Sequence, residues 1–185
     1  MSDEEKKILL HACCGICSGY PIQLLKELGY NPVVYFNNHN IDTKDEFDRR
    51  LEAQEKICKS FDCELIVENY SPCEYISVVG GLEEEPEGGK RCLVCFKLRL
   101  LKSAYKAQEL GISYFTTSIV ISPHKNFKTI SKIGNDIAYF VDGVEYLDID
   151  FKKKDGFLKT NKIAKELDLY RQNYCGCKFA KSHLT

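Results

Sequence analysis

Five short apolar runs alternate with stretches of helical spacing, and this constrains the chain more than any other feature. "KKILLHA" (6–12), "NPVVYFN" (31–37), "CELIVE" (63–68), "ISYFTTSIVIS" (112–122) and "VEYLDID" (144–150) read as strands. Between them lie helical patterns. One follows Ser18, with Pro21 near its first turn and Gly29 as its stop. A second opens on the capping box Thr43…Glu46 and runs to about Phe61, with Phe47, Leu51, Cys58 and Phe61 on one face. "SPCE" repeats the capping signature with Pro72 at the first helical position, and an acidic loop, "LEEEPEGGK", follows. Further helices are predicted over about 92–110, about 126–140 and from Thr160 onward. Strand and helix in alternation imply βαβ units, hence an α/β fold: a parallel sheet flanked by helices, in one domain over residues 1–185. Such sheets bind ligands at the carboxyl ends of their strands. That selects the loops "HACCGICSG" (11–19), "NNHNID" (37–42) and "TTSIVISPHKN" (116–126).

No run of about 18 apolar residues is present, so no membrane span is expected. The N-terminus "MSDEEKK" has no apolar stretch of signal-peptide type behind it. A cytoplasmic location is the expectation, and there the 10 cysteines read as metal ligands or active thiols rather than disulfides. Seven fall in tight clusters: Cys13, Cys14 and Cys17; Cys92 and Cys95; Cys175 and Cys177. Seven thiolates exceed the four that one zinc or one cubane cluster takes, so the count suggests a cluster with a second metal or an active thiol. Adjacent Cys13 and Cys14 are expected to serve different metals, or different edges of one cluster, more easily than one ion. A structural zinc in an RNA-binding module is the competing reading, and a thiol oxidoreductase built on Cys92 and Cys95 is a third. Cys58 and Cys63 read as buried hydrophobes and Cys73 as incidental.

Residues 1–91 carry 10 basic against 18 acidic side chains, and residues 92–185 carry 16 against 9. A basic second half can meet a polyanion although the formal net charge is −1. The loop after the first strand lacks a P-loop cradle and the Ser-Gly-Gly-x-Asp-Ser pattern of ATP pyrophosphatases, which argues against an ATP-consuming tRNA thiolase.

"LLHACCGICS", "GLEEEPEGGKRCLVCFKLRL", "YFTTSIVISPHKN" and "YRQNYCGCKFA" together resemble the epoxyqueuosine reductases of the QueH type, over about Ile8 to Ala180. The family's first loop usually reads Cys-Cys-Ala-Pro-Cys, whereas here it is Cys13-Cys14-Gly15-Ile16-Cys17, which should loosen the turn without moving its sulfurs. The resemblance implies a Rossmann-like fold of the adenine-nucleotide α-hydrolase (HUP) kind. It also implies reduction of epoxyqueuosine to queuosine at the wobble position of a tRNA anticodon. The implied cofactors are a [4Fe–4S] cluster and a second, mononuclear iron, with the seven clustered cysteines divided between them and a tail over 170–185 returning to the metals. Metal bonds would hold that tail, and Gly176 would let Cys175 and Cys177 approach one site. The implied partners are a tRNA carrying epoxyqueuosine and an external low-potential electron donor, with no membrane. His11 is a candidate proton donor. Arg91, Arg99, Lys125, Arg171 and Tyr174 are candidate substrate contacts, and Phe179 and the "NNHNI" loop are candidates for stacking or edge reading.

Overall fold

The computed structural model describes residues 6–181. Most of the N-terminal stretch read against a signal peptide (1–5) and the end of the expected tail (182–185) lie outside the described residues. Five parallel strands form one sheet: β1 (Lys6–Ala12), β2 (Tyr30–Phe36), β3 (Leu65–Val67), β4 (Tyr114–Thr117) and β5 (Glu145–Tyr146), in the order β3-β2-β1-β4-β5. Strand order reverses between β1 and β4, which leaves a crevice at their carboxyl ends. Ile8, Leu9 and Leu10 have no exposed surface, as a central strand covered on both faces requires. The covering helices are α1 (Gly15–Glu27), α2 (Lys44–Ser60), α3 (Pro72–Val78), α4 (Lys90–Glu109), α5 (Phe127–Phe140) and α6 (Gly156–Glu166), with a last turn α7 (Lys178–Lys181). Helix α1 packs with α2 and α6, and α4 with α5. Among the described residues no helix is long and apolar enough to cross a membrane.

Several local expectations change. Helix α1 opens at Gly15, not at Ser18, so Pro21 lies inside it. Pro21 has no N–H for the Cys17 carbonyl. One rung earlier the Thr160 hydroxyl is inserted, accepting from Tyr20 N at 3.3 Å and donating to Ile16 O at 2.5 Å. Tertiary contact from α6 thus replaces a helical bond. Thr43 caps α2 as expected, accepting from Glu46 N at 3.2 Å. The second capping box does not form: Ser71 makes no side-chain cap. Glu74 turns instead to Lys102 at 2.8 Å and His39 at 3.3 Å.

The fourth apolar run is a strand only to Thr117. Its hydroxyl accepts from Ile119 N at 3.2 Å and folds Ser118–Ile121 into a buried 3₁₀ turn. A continuous apolar run cannot distinguish that turn from more strand. The third run shortens to β3, leaving Cys63 outside it, and the fifth shortens to the two residues of β5.

Candidate metal centre

The carboxyl end of β1 runs directly into the first turn of α1. Cys14 is its N-cap and Cys17 stands one turn on. The sulfurs of Cys13, Cys14 and Cys17 all lie within 4.8 Å of one another, and those of Cys13 and Cys14 are 3.8 Å apart. Two ligands on a tetrahedral ion with metal–sulfur bonds of about 2.3 Å are separated by about 3.8 Å. The adjacent pair therefore suits a single ion, contrary to the sequence expectation, because the bend into the helix turns both sulfurs to one side. Hydrogen bonds from Cys14 and Cys17 draw the Cys13 thiol well below its ordinary range, and the same contact with Cys13 pushes Cys14 up to about 12. Gly15 fixes the spacing to α2: a Cβ there would lie 2.4 Å from the Ala53 carbonyl oxygen. The expected loose turn is instead helix held against helix.

Cys92, Cys95, Cys175 and Cys177 line a neighbouring pocket with Tyr75, Arg91 and Arg99. Cys92 lies in the first turn of α4, and its sulfur accepts from Gly88 N at 3.2 Å. The Cys177 thiol is drawn down to about 5, first by a hydrogen bond from Cys175 and also by Tyr75. Among the described residues, no three of these four sulfurs come as close together as the first triad.

Hydrogen bonds from α2 and the 37–42 loop draw the tail to this pocket. Arg50, 2% exposed on α2, donates to the carbonyls of Tyr174 at 3.0 Å and Cys175 at 3.2 Å. Its Nε donates to Glu46 at 2.6 Å, and the Tyr170 hydroxyl donates to the same carboxylate at 2.8 Å. Asn40 Nδ2 donates to Cys175 O at 3.0 Å and Asp42 N to Gly176 O at 2.9 Å. Hydrogen bonds thus help to seat the terminus that carries Cys175 and Cys177.

A cavity of ≈ 620 Å³ joins the two thiol groups, lined by Cys13, Cys17 and Cys175 together with Arg50, Arg99 and Lys125. Arg99 is 5% exposed and lines both spaces. Its Nη2 donates to Asn38 Oδ1 at 2.7 Å, its Nε has no partner, and among the described residues no carboxylate pairs with it. Its charge acts on Cys13 of one group and Cys95 of the other. A buried cation of this kind needs negative charge beside it, and a set of metal-bound thiolates supplies that. The donor set therefore fits a thiolate-bound metal, iron among those that take such ligands. Lys125 pairs with Glu87 at 2.9 Å; burial opposes its charge, yet this pair and the nearby thiols keep its pKa raised.

The remaining expected residues divide. Tyr174 lines the cavity and donates to Asp42 Oδ1 at 2.8 Å. Arg91, 1% exposed, donates to the carbonyls of Leu82, Glu83 and Glu85, which locks the acidic loop and leaves it no surface for phosphate. Arg171 is exposed beside α6, donating to Asn161 at 2.7 Å, and does not line the cavity. His11 has no exposed surface: Nε2 donates to Asn37 O at 3.0 Å and Nδ1 meets the Thr117 hydroxyl at 2.8 Å. Burial lowers its pKa to about 3, so the ring is a neutral clamp across three strands and no proton donor. Asn37, Asn38, His39 and Asn40 are likewise buried rather than open for base reading. Phe179 packs half-buried under Arg91.

Sequence reasoning missed Arg50, Tyr75 and Gln172. The first carried a signal: Glu46, Arg50 and Gln54 repeat at a spacing of four and share the buried face of α2.

A family model described as epoxyqueuosine reductase QueH matches residues 8–183. An epoxyqueuosine reductase QueH from Streptococcus pyogenes is 44% identical over 179 residues, covering 94% of this chain and 69% of the relative. Those from Staphylococcus epidermidis and Dehalococcoides mccartyi are 38% and 36% identical, covering 96% and 95% of this chain and 77% and 92% of theirs. Among solved structures, the U34-tRNA thiolase NcsA from Methanococcus maripaludis, with its [4Fe–4S] cluster, superposes with a TM-score of 0.56 at 15% identity. That match covers 95% of this chain and 62% of NcsA. A predicted tRNA methyltransferase subunit from Methanocaldococcus jannaschii gives 0.52 at 17% identity, covering 85% and 76%. These two likenesses establish the HUP-like fold alone.

Proposed function

Because the chain belongs to the epoxyqueuosine reductase QueH family, we propose that its seven clustered cysteines hold two iron centres that reduce an epoxide in a tRNA anticodon. The chain is an oxidoreductase of tRNA modification. In the overall change, epoxyqueuosine takes up two electrons and two protons; both C–O bonds break, and the alkene of queuosine and one water leave.

The observation that carries this reading is Arg99, a buried guanidinium with no carboxylate paired to it among the described residues, lining both thiol-bearing spaces. We assign Cys92, Cys95, Cys175 and Cys177 to a [4Fe–4S] cluster, which takes four thiolates. Cys13, Cys14 and Cys17, grouped for one ion, are assigned to a mononuclear iron. When bound, these groups supply one-electron relay and Lewis acidity toward the epoxide oxygen. The protein's own side chains do the rest. Arg99 and Arg50 hold positive charge beside the sulfurs. The ≈ 620 Å³ cavity is large enough to receive a splayed modified base. Tyr174 and Asn173 line that cavity, where a base would enter. With both nitrogens of His11 engaged, protons enter from the cavity wall, where His124 and Lys125 stand. The electrons come from an external low-potential donor, and the tRNA substrate places the work in the cytoplasm.

The test is anaerobic purification, metal analysis and an assay of epoxyqueuosine-bearing tRNA with a chemical reductant. About five irons per chain, broad absorption near 400 nm and conversion to queuosine are expected, four irons for the cubane and one more. A colourless protein holding about one zinc in a four-sulfur site would refute the reading.

A further inference from the structure

The four-thiol pocket contains a hydroxyl that packing alone does not require. Tyr75 stands on α3 and is 3% exposed, in a small buried cluster with Val79, Cys95, Cys177 and Ala180. Its Oη lies 3.0 Å from Cys177 Sγ. A phenylalanine would fill the same space, and burying a phenol without a partner costs about 1–3 kcal/mol. The contact is therefore the chemical content of the residue.

Its direction follows from the state of the sulfur. A cysteine bound to metal is a thiolate with no hydrogen to give, so the Tyr75 O–H must donate. Both groups are buried, at 3% and 4% exposure, and water cannot stand in for the bond. Adding one electron to an iron–sulfur cluster increases the negative charge carried on its sulfurs. A hydrogen bond aimed at one of them stabilises the reduced form more than the oxidised form, because charge-assisted bonds strengthen with the charge they meet.

We propose that Tyr75 is a positioning residue for the reduction: its hydroxyl donates to the Cys177 sulfur and raises the reduction potential of the cluster held there. The inference rests on the assignment of Cys177 to that cluster. Gln172 makes the corresponding contact in the other group, its Nε2 donating to Cys14 Sγ at 2.7 Å, so each thiol group meets a neutral side-chain donor from another part of the chain.

The experiment is a redox titration of the loaded Tyr75→Phe protein with dithionite and mediator dyes, without oxygen, read by visible absorption and electron paramagnetic resonance. Iron and sulfide should equal those of the wild type. At a fixed ambient potential, the reduced-to-oxidised ratio should fall about tenfold, a shift of about 59 mV to more negative values for one electron. An unshifted potential with full iron overturns the proposal. Loss of the cluster from Tyr75→Phe also overturns it, because the hydroxyl would then hold the cluster rather than tune it. A wild-type protein that takes up no iron overturns both this proposal and the site assignment beneath it, and the wild-type control separates that case from the other two.

Discussion

Replacing Gly176 by alanine isolates the seating of the tail from the stability of the sheet. Gly176 has φ +98°, and a Cβ there would meet Ile41 Cγ1 at 3.0 Å and Arg50 Nη1 at 3.3 Å. A side chain held in that backbone region costs about 1–3 kcal/mol. Displacing Arg50 would also loosen its bonds to the Tyr174 and Cys175 carbonyls. All these contacts dock the tail, so the cost falls on a local opening rather than on global unfolding. About 2 kcal/mol raises the open fraction roughly thirtyfold. Hydrogen exchange of the amides over 172–180 should accelerate by about that factor while β1 and β2 keep their protection. After anaerobic loading, iron should fall toward the share held by Cys13, Cys14 and Cys17. Unchanged exchange in the tail together with full iron would refute this account of how the terminus is held.

Gly15→Ala, although alanine is usual there in the family, should lower stability by about 1–3 kcal/mol here, because α1 must back away from the Ala53 carbonyl; urea unfolding measures it. Cys17→Ser should remove about one iron and spare the absorption of the four-iron cluster; equal loss of both would break the division of the seven sulfurs. His11 has its folded pKa lowered to about 3 by burial, so its contribution to stability is present above about pH 6.5 and lost as pH falls toward 3. Between pH 7 and pH 5 the wild type should therefore lose about 2 kcal/mol more than His11→Gln, read by urea unfolding at the two values. Binding of tRNA should weaken steeply between 50 and 200 mM salt if lysines on the basic half meet phosphates; a flat response would count against that path.

The order of elements was legible in residue pattern alone. Ile8, Leu9 and Leu10 form a run that only a strand buried on both faces uses well, and helical stretches on either side leave a parallel sheet as the outcome. The cysteine spacings likewise pointed to a candidate metal centre, and the structure groups Cys13, Cys14 and Cys17 closely enough for one ion. What periodicity could not supply was anything decided by contact between distant segments. Thr160 opening the first turns of α1, and Glu74 leaving its capping position for Lys102 and His39, are bonds between partners that local sequence does not pair. The same holds for charge. Arg91 and Arg99 both read as basic residues available to RNA, yet one is spent on three loop carbonyls and the other is buried between thiol groups. Sequence by itself determined which side chains can bind metal and which strand ends present them. Tertiary structure alone decided which sulfurs lie close together and which side chains bond the tail that carries two of them, because burial and hydrogen-bond partners exist only after distant segments meet.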